Sequence, residues 1–150
     1  MIEFVSGNIF NCDAEALVNP VNTAGVMGKG LAKQFRERFP EIMEPYREAC
    51  DSGEFKTGMV FTVQVAENQS PKYIINFPTK RHWRSKSKLE YIESGLKALV
   101  EEVQRLKINS IAIPPLGCGL GGLQWEEVKP RIVDAFNEIN KVLVYVIEPD

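Results

Sequence analysis

The sequence has few cysteines and no long apolar run, and each shortage excludes a class of protein. Its three cysteines, Cys12, Cys50 and Cys118, are an odd, widely spaced set that fits neither a disulfide framework nor a zinc pattern. No stretch of about 18 apolar residues occurs, so we expect no transmembrane helix and no membrane partner. Met1–Val5 lacks the basic and apolar regions of a secretory signal. We therefore expect a cytoplasmic protein with reduced thiols.

Acidic residues are missing from one segment, although the chain as a whole has a net charge of −2. Lys72–Lys88 contains His82 and Trp83 but no Asp or Glu. Its cations are Lys72, Lys80, Arg81, Arg84, Lys86 and Lys88. A basic segment with an embedded aromatic ring is suited to a polyanion that carries bases, such as single-stranded DNA. On charge alone, a solvated basic loop beside Glu-rich helices is an equally good interpretation.

Glycine is concentrated after the apolar run Asn109–Ile113, which reads as a buried strand. Gly117, Gly119, Gly121 and Gly122 follow within a few residues, and a helical pattern begins near Trp125. A strand, a glycine-rich loop and a helix N-terminus together form an anion site, most often for phosphate. Neither the dinucleotide-binding spacing nor a phosphate-loop Gly-Lys-Ser/Thr is present. For this loop alone, a tight turn is the alternative.

A second loop repeats the order of strand, glycine-rich loop and helix. Asn19–Gly30 follows the apolar run Ala16–Val18 and leads into a helix with Leu31, Phe35 and Phe39 on one face. In open α/β sheets, ligands bind at the carboxyl ends of the strands. Two such loops in one small domain therefore predict a clamp on two phosphates.

Strand and helix patterns alternate along the chain, so we predict a single α/β domain with three α/β/α layers. Continuous apolar runs predict a mixed, mainly parallel central sheet that is covered on both faces. The predicted strands are Ile2–Val5, Glu15–Asn19, Met59–Val65, Tyr73–Phe77, Ser110–Ile113 and Val142–Ile147. The predicted helices are Gly30–Phe39, Pro40–Asp51, Ser87–Leu106 and Trp125–Asn140. Ser87 and Glu90 have the spacing of a capping box at the third helix.

Three motifs resemble the macrodomain family, whose members are α/β/α domains that bind ADP-ribose. They are Gly7-Asn8-Ile9, Val18–Asn22 and the Gly117–Gly122 loop, in an order and spacing that cover nearly the whole chain. Met27–Ala32 and Gly117–Leu120 resemble the branch that includes a glutamate-directed ADP-ribose glycohydrolase. Asn76–Ser85 is more similar to bacterial antitoxins that remove ADP-ribose from thymidine in DNA modified by a toxin partner.

The resemblance implies a site for ADP-ribose, with adenine near Gly7-Asn8-Ile9, the pyrophosphate between the two glycine loops and the distal ribose near Asn22. The ADP-ribose-binding residues that it implies are Asn8, Ile9, Asn22, Gly25, Val26, Met27, Gly28, Gly30, Leu116, Gly117, Cys118, Gly119, Leu120 and Gly121. The expected DNA-binding residues are Arg81, His82, Trp83, Arg84 and Lys86. Lys80 is the implied catalytic residue, without a metal or cofactor.

The residue types also limit the chemistry. Ordinary glycosidases use two carboxylates, yet neither glycine loop nor Phe77–Lys88 contains Asp or Glu. A lysine remains, since its amine can attack a sugar carbon and its ammonium form can protonate a leaving base. By composition alone, Lys80 is one more basic loop residue. Cys118 is more simply a small residue filling a turn than a nucleophile.

The sequence departs from its relatives at two positions. Asn8 stands where many macrodomains have the Asp that binds the adenine amino group, and Gly121 stands where glutamate-directed relatives have an Asp. An enzyme acting on ADP-ribosylated single-stranded DNA, with a DNA ADP-ribosyltransferase toxin as partner, is therefore the leading hypothesis. The alternatives are a hydrolase of ADP-ribose esters on protein carboxylates or of O-acyl-ADP-ribose, and a non-catalytic ADP-ribose reader. We expect a monomer, and residues 1–150 as one macrodomain that is compatible with the N-terminal part of a longer antitoxin.

Overall fold

A six-stranded sheet lies between two pairs of helices in the computed structural model, which describes residues 1–150. The strands are β1 (Ile2–Val5), β2 (Ala16–Asn22), β3 (Phe61–Gln64), β4 (Tyr73–Lys80), β5 (Ser110–Ile113) and β6 (Leu143–Ile147). The helices are α1 (Gly30–Arg38), α2 (Met43–Asp51), α3 (Leu89–Arg105) and α4 (Trp125–Asn137). None of the helices combines the length and apolarity needed to cross a bilayer.

The strand order is β1-β6-β5-β2-β4-β3, and only the β3–β4 pair is antiparallel. This confirms the predicted mixed, mainly parallel sheet in a three-layer α/β/α domain. Because β2, β4 and β5 run in the same direction and β2 pairs with both others, their carboxyl ends meet at one edge of the sheet. The loops that follow these three strands are the two glycine-rich loops and the basic loop of the sequence.

Alternate residues of each strand supply two separate cores, as the pleat of a strand requires. Ala16 and Val18 of β2 pack with buried residues of α3 and α4, whereas Leu17 and Val21 pack with Phe35 of α1 and with residues of α2. Both faces of the central strands are thus covered by helices. This arrangement explains why β2, β4 and β6 read as continuous apolar runs in the sequence.

β2 and β4 extend further toward the site than the apolar pattern predicts. β2 continues through Asn22 and β4 through Lys80, and the two residues are cross-strand partners beyond a bulge at Val21 and Asn22. Pairing between distant segments keeps these polar residues in strands, which local sequence patterns do not report. The consequence is that Asn22 and Lys80 stand side by side at the end of the sheet.

All four helices lie within their predicted ranges but are shorter, and α4 ends at Asn137 instead of Asn140. The predicted helix Pro40–Asp51 is a 3₁₀ turn at Pro40–Ile42 followed by α2. The predicted capping box is wrong, because Lys88 is the N-cap residue of α3 and makes no side-chain cap bond. Ser87 is buried instead, and its backbone N–H donates to the Gly121 carbonyl oxygen at 3.0 Å. Packing against a distant loop has displaced the local capping motif.

Gly95 allows α3 to lie directly on β4. A Cβ at this position would lie 2.8 Å from Cε1 of the buried Phe77 ring and closer still to its Cζ. We predict that Gly95→Ala destabilises the protein, although alanine favours a helix over glycine by about 1 kcal/mol. Overpacking a core costs about 1–3 kcal/mol and outweighs this gain, and Gly95→Val, with less helix propensity than alanine, is expected to destabilise further. Urea unfolding monitored by circular dichroism measures both changes.

Lys97→Ala is the matched control, because Lys97 is an exposed residue of the same helix. We expect it to change the unfolding free energy by no more than about 0.5 kcal/mol. A Gly95→Ala protein as stable as the unsubstituted chain would contradict the close approach of α3 to Phe77.

Candidate functional site

Three loops form a cleft at the carboxyl ends of β2, β4 and β5. They are the first glycine loop (residues 23–29), the basic loop (residues 81–88) and the second glycine loop (residues 114–124). The cleft has a volume of about 430 Å³, within the range of small-molecule sites, about 300–1,000 Å³. Eight of the predicted ADP-ribose-binding residues line it: Asn22, Val26, Gly28, Gly30, Gly117, Gly119, Leu120 and Gly121.

Both glycine loops present unpaired backbone N–H groups. In the second glycine loop, the consecutive N–H groups of Gly119, Leu120 and Gly121 donate to no protein acceptor. In the first, the N–H groups of Gly28 and Lys29 are likewise free. All five residues line the same cleft. Grouped N–H donors without a partner in the protein can form a concave anion-binding surface. The two loops therefore have the free donors that the predicted phosphate clamp requires.

The glycines of the second loop serve different purposes. Gly117 has a φ of +74°, and a Cβ there would lie 2.7 Å from Leu123 Cδ1. A Cβ at Gly121 would lie 2.6 Å from the Gly117 carbonyl oxygen and would overlap Ser87 Oγ. Gly119 has open space around it. Gly117 and Gly121 are therefore required by packing, whereas Gly119 keeps the cleft open.

Asn22 organises the first glycine loop while lining the cleft. Its Nδ2 donates to the Val26 carbonyl oxygen at 2.8 Å, and its Oδ1 accepts from the N–H of Ala24 at 3.0 Å. The hydroxyl of Tyr46, in α2, lies 2.9 Å from the same Oδ1. The Asx turn is therefore formed, and one Nδ2 hydrogen of Asn22 has no protein acceptor and is available to a ligand.

Lys80 lines the cleft at the end of β4. Its Nζ donates to the Trp83 carbonyl oxygen at 3.1 Å. Partial burial lowers the Lys80 pKa from its ordinary value, and the nearby Lys29 ammonium lowers it further. No Asp, Glu, His or Cys lines this cleft, and no three such side chains anywhere in the structure are grouped to hold a metal ion. The ionisable groups among the lining residues are the amines of Lys29 and Lys80.

The basic loop projects its charged side chains outward. Arg81, Arg84 and Lys86 are exposed, and none of them takes part in a salt bridge. The rings of His82 and Trp83 stack with centroids 3.7 Å apart, and Trp83 lines the cleft. These five predicted DNA-binding residues therefore lie together beside Lys80.

The basic segment Lys72–Lys88 is not one surface, which corrects the interpretation of its charge. Lys72 precedes β4, whereas Lys80 ends it. Eight residues of extended strand separate the two by about 25 Å at about 3.3 Å per residue. Lys72 lies at the opposite edge of the sheet, so only the cations from Lys80 onward lie near the cleft.

A smaller cleft of about 230 Å³ adjoins the first and contains Asn8 and Ile9. The two clefts share Leu31, Pro114 and Pro115 as lining residues. Asn8 Oδ1 accepts from the Phe10 N–H at 2.9 Å, which leaves its second lone pair available. The predicted adenine residues therefore lie in a cleft that is continuous with the one lined by the glycine loops.

Four predicted residues lie behind the walls of both clefts: Gly25, Met27, Leu116 and Cys118. Met27 and Leu116 are core residues. Burial, followed by the Glu126 carboxylate, raises the pKa of the Cys118 thiol to about 11. A thiol with this pKa is protonated at neutral pH and is not an activated nucleophile.

The sequence prediction omitted some lining residues. They are Pro20, Val21, Lys29, Leu31, Ala32, Thr79, Pro114 and Pro115. Pro114 and Pro115 carried a signal, because they directly follow β5 at the edge where ligands are expected. Thr79 carried none, since its position depends on the extension of β4.

Comparisons with known proteins agree with this geometry. The family model of the Macro domain matches residues 18–132. The DNA ADP-ribosyl glycohydrolase of Thermus aquaticus is 50% identical over 99% of the chain and 41% of that relative. The chain therefore spans less than half the length of this relative.

Solved structures give the same result. The macrodomain of Mycobacterium tuberculosis DarG is 49% identical with a TM-score of 0.97, covering 100% of this chain and 99% of that one. Thermosipho africanus DarTG in complex with ADP-ribose is 34% identical with a TM-score of 0.88, covering 98% of this chain and 41% of that one. The family match, the identity and the common architecture together show that the chain belongs to the macrodomain family.

Proposed function

We propose that this macrodomain is an ADP-ribosyl glycohydrolase that removes ADP-ribose from modified thymidine bases in single-stranded DNA, as antitoxin to a DNA ADP-ribosyltransferase toxin. The observation that carries the proposal is the position of Lys80, between a cradle of free N–H groups and the exposed basic loop. The name of the T. aquaticus relative, 50% identical, supports the same activity. The fused DNA ADP-ribosyl transferase of a T. africanus relative supports the toxin partner.

In this proposal, ADP-ribose spans the two adjoining clefts. The pyrophosphate accepts hydrogen bonds from the free N–H groups of Gly28, Gly119 and Gly121, and the adenine occupies the smaller cleft beside Asn8 and Ile9. The distal ribose then lies near the cross-strand pair of Asn22 and Lys80. The shared lining at Leu31, Pro114 and Pro115 supports one extended ligand.

The reaction consumes one water and breaks the bond between the ribose anomeric carbon and the base nitrogen. In one role, the Lys80 amine attacks the anomeric carbon and the bond's electron pair passes to the base, which takes a proton; water then displaces the lysine. In the other role, the Lys80 ammonium donates the proton to the leaving base while water attacks the sugar. The lowered pKa of Lys80 supports both, since it increases the free amine and makes the ammonium a stronger acid.

The alternative hydrolase of protein esters is less well supported. Its relatives carry an Asp at the position of Gly121, where a Cβ would overlap Ser87 Oγ. An Asp at 121 would need the start of α3 to move. A pure ADP-ribose reader would need no amine with a lowered pKa at the distal end of the cleft. DNA de-ADP-ribosylation therefore remains the function that the geometry supports best.

We predict that Lys80→Ala loses the removal of ADP-ribose from a modified thymidine oligonucleotide but retains ADP-ribose binding. A general acid or base contributes about 10²–10⁴-fold to the rate, so a loss of at least this size is expected in single-turnover assays. Lys80→Arg keeps the positive charge but stays protonated, so it can neither attack carbon nor give up a proton; if it restores most of the rate, Lys80 acts as an electrostatic clamp and both chemical roles are wrong. Full turnover by Lys80→Ala would refute the catalytic assignment.

Gly119→Glu is the complementary variant, since it fills open space in the cleft and repels phosphate. It should abolish ADP-ribose binding in calorimetry, whereas Lys80→Ala should not.

The pH dependence of the rate distinguishes the two roles of Lys80. If the Lys80 amine is the nucleophile, the rate rises with pH through a pKa below the ordinary lysine value. A proton-donating ammonium gives a rate that falls through the same pKa.

We further predict that the triple variant Arg81→Gln, Arg84→Gln and Lys86→Gln weakens binding to modified DNA and flattens its salt dependence. Each phosphate contact contributes about −0.7 to the log–log slope on single strands, so the slope should fall by up to about 2. Fluorescence anisotropy at several salt concentrations measures this. The matched control replaces Lys72, Lys107 and Lys141, which precede strands at the opposite edge of the sheet. Equal slope changes in both triple variants would contradict a DNA-binding role of the basic loop.

A further inference from the structure

Trp83 is a large exposed aromatic side chain at the mouth of the cleft. It is 44% exposed and lines the cleft together with Lys80 and Lys29. The chain has two tryptophans, and Trp125, the other one, is half-buried and donates through Nε1 to Glu148. Exposed indole rings are costly in water, and they are frequent where a ring must bind a planar partner.

The indole is held in place by its own loop. The His82 ring covers one face at a centroid distance of 3.7 Å and an interplanar angle of 26°. His82 Nδ1 accepts the Arg84 N–H at 3.1 Å, and the His82 carbonyl accepts the Ser85 N–H at 3.0 Å. The Trp83 carbonyl accepts from Lys80 Nζ. With one face covered and its backbone fixed, the ring is preorganised, so binding on its other face loses little conformational entropy.

The position of the Trp83 ring beside Lys80 indicates which part of a bound substrate it would contact. Lys80 must lie beside the glycosidic bond that breaks, and Trp83 is three residues away with its carbonyl oxygen 3.1 Å from Lys80 Nζ. Because Trp83 also lines the cleft, a group attached to the anomeric carbon next to Lys80 has the indole within reach. In a modified thymidine that group is a flat pyrimidine ring. In a protein ester it is a carboxyl group, which has no extended face to stack.

We propose that Trp83 stacks on the pyrimidine base that carries ADP-ribose, with His82 supporting the opposite face of the indole. The proposal rests on the proposed function, because it assigns the acceptor side of the same cleft. It makes Trp83 a specificity-determining residue: the glycine loops bind ADP-ribose whatever it is attached to, and Trp83 distinguishes a nucleobase from other acceptors. Stacking on an aromatic side chain is tolerant of base identity, so other ADP-ribosylated bases should also bind.

The test compares Trp83→Ala and Trp83→Phe on a single-stranded oligonucleotide with one ADP-ribosylated thymidine. Base stacking of this kind changes affinity by about 5- to 150-fold. Trp83→Ala should raise KM at least about fivefold, Trp83→Phe should restore most of the loss, and calorimetric affinity for free ADP-ribose should stay unchanged in both. Phe4→Ala is the matched control, since Phe4 is an exposed aromatic residue of β1 outside both clefts. An unchanged KM in Trp83→Ala would overturn the proposal.

A fluorescence titration tests stacking without turnover. In a Trp125→Phe, Lys80→Arg background, Trp83 is the only tryptophan, and arginine retains a donor for the Trp83 carbonyl. The modified oligonucleotide should quench its fluorescence, whereas free ADP-ribose should not. Quenching by both ligands alike, or by neither, would contradict stacking on the modified base. If the unsubstituted protein releases no ADP-ribose from DNA, the proposed function fails, and this titration still decides whether Trp83 stacks.

Discussion

The parallel pairing of β2 with β4 and β5 is the constraint on which the site depends. It brings the carboxyl ends of three strands to one edge, so that two loops of free N–H groups and one basic loop surround a single cleft. The register matters as much as the direction, since Asn22 is paired with Lys80. A slip of one residue would turn Lys80 to the other face of the sheet, away from the cleft.

Contacts between the loops make this edge one unit. The Thr23 N–H and hydroxyl both donate to the Arg81 carbonyl, at 3.2 and 3.1 Å, which joins the first glycine loop to the basic loop. Ser87 N–H joins the basic loop to Gly121 in the second glycine loop. The basic loop is therefore connected by hydrogen bonds to both glycine loops. In the function that we propose, DNA held by the basic loop and ADP-ribose held by the glycine loops are positioned against the same Lys80.

The sequence was sufficient for the fold and for locating the main cleft, because both follow from local signals. The apolar runs predict the layers, and the glycine density after β2 and β5 predicts the loops that line the cleft. The failures have a different origin. Packing against Gly121 replaced the predicted capping role of Ser87. Cross-strand pairing extended β2 and β4 beyond their predicted ends. The length of β4 separates Lys72 from Arg81. Each depends on contacts between distant segments, which a local pattern does not contain.

The central claim is that the bond broken at Lys80 joins ADP-ribose to a DNA base. The most direct measurement presents the domain with equal amounts of ADP-ribosylated thymidine oligonucleotide and ADP-ribosylated protein, and follows both by mass spectrometry. We expect the oligonucleotide to lose the whole ADP-ribosyl group and to return to unmodified DNA, while the protein ester persists. Faster release from the protein, or a ribose phosphate left on the base after cleavage of the pyrophosphate, would contradict this account.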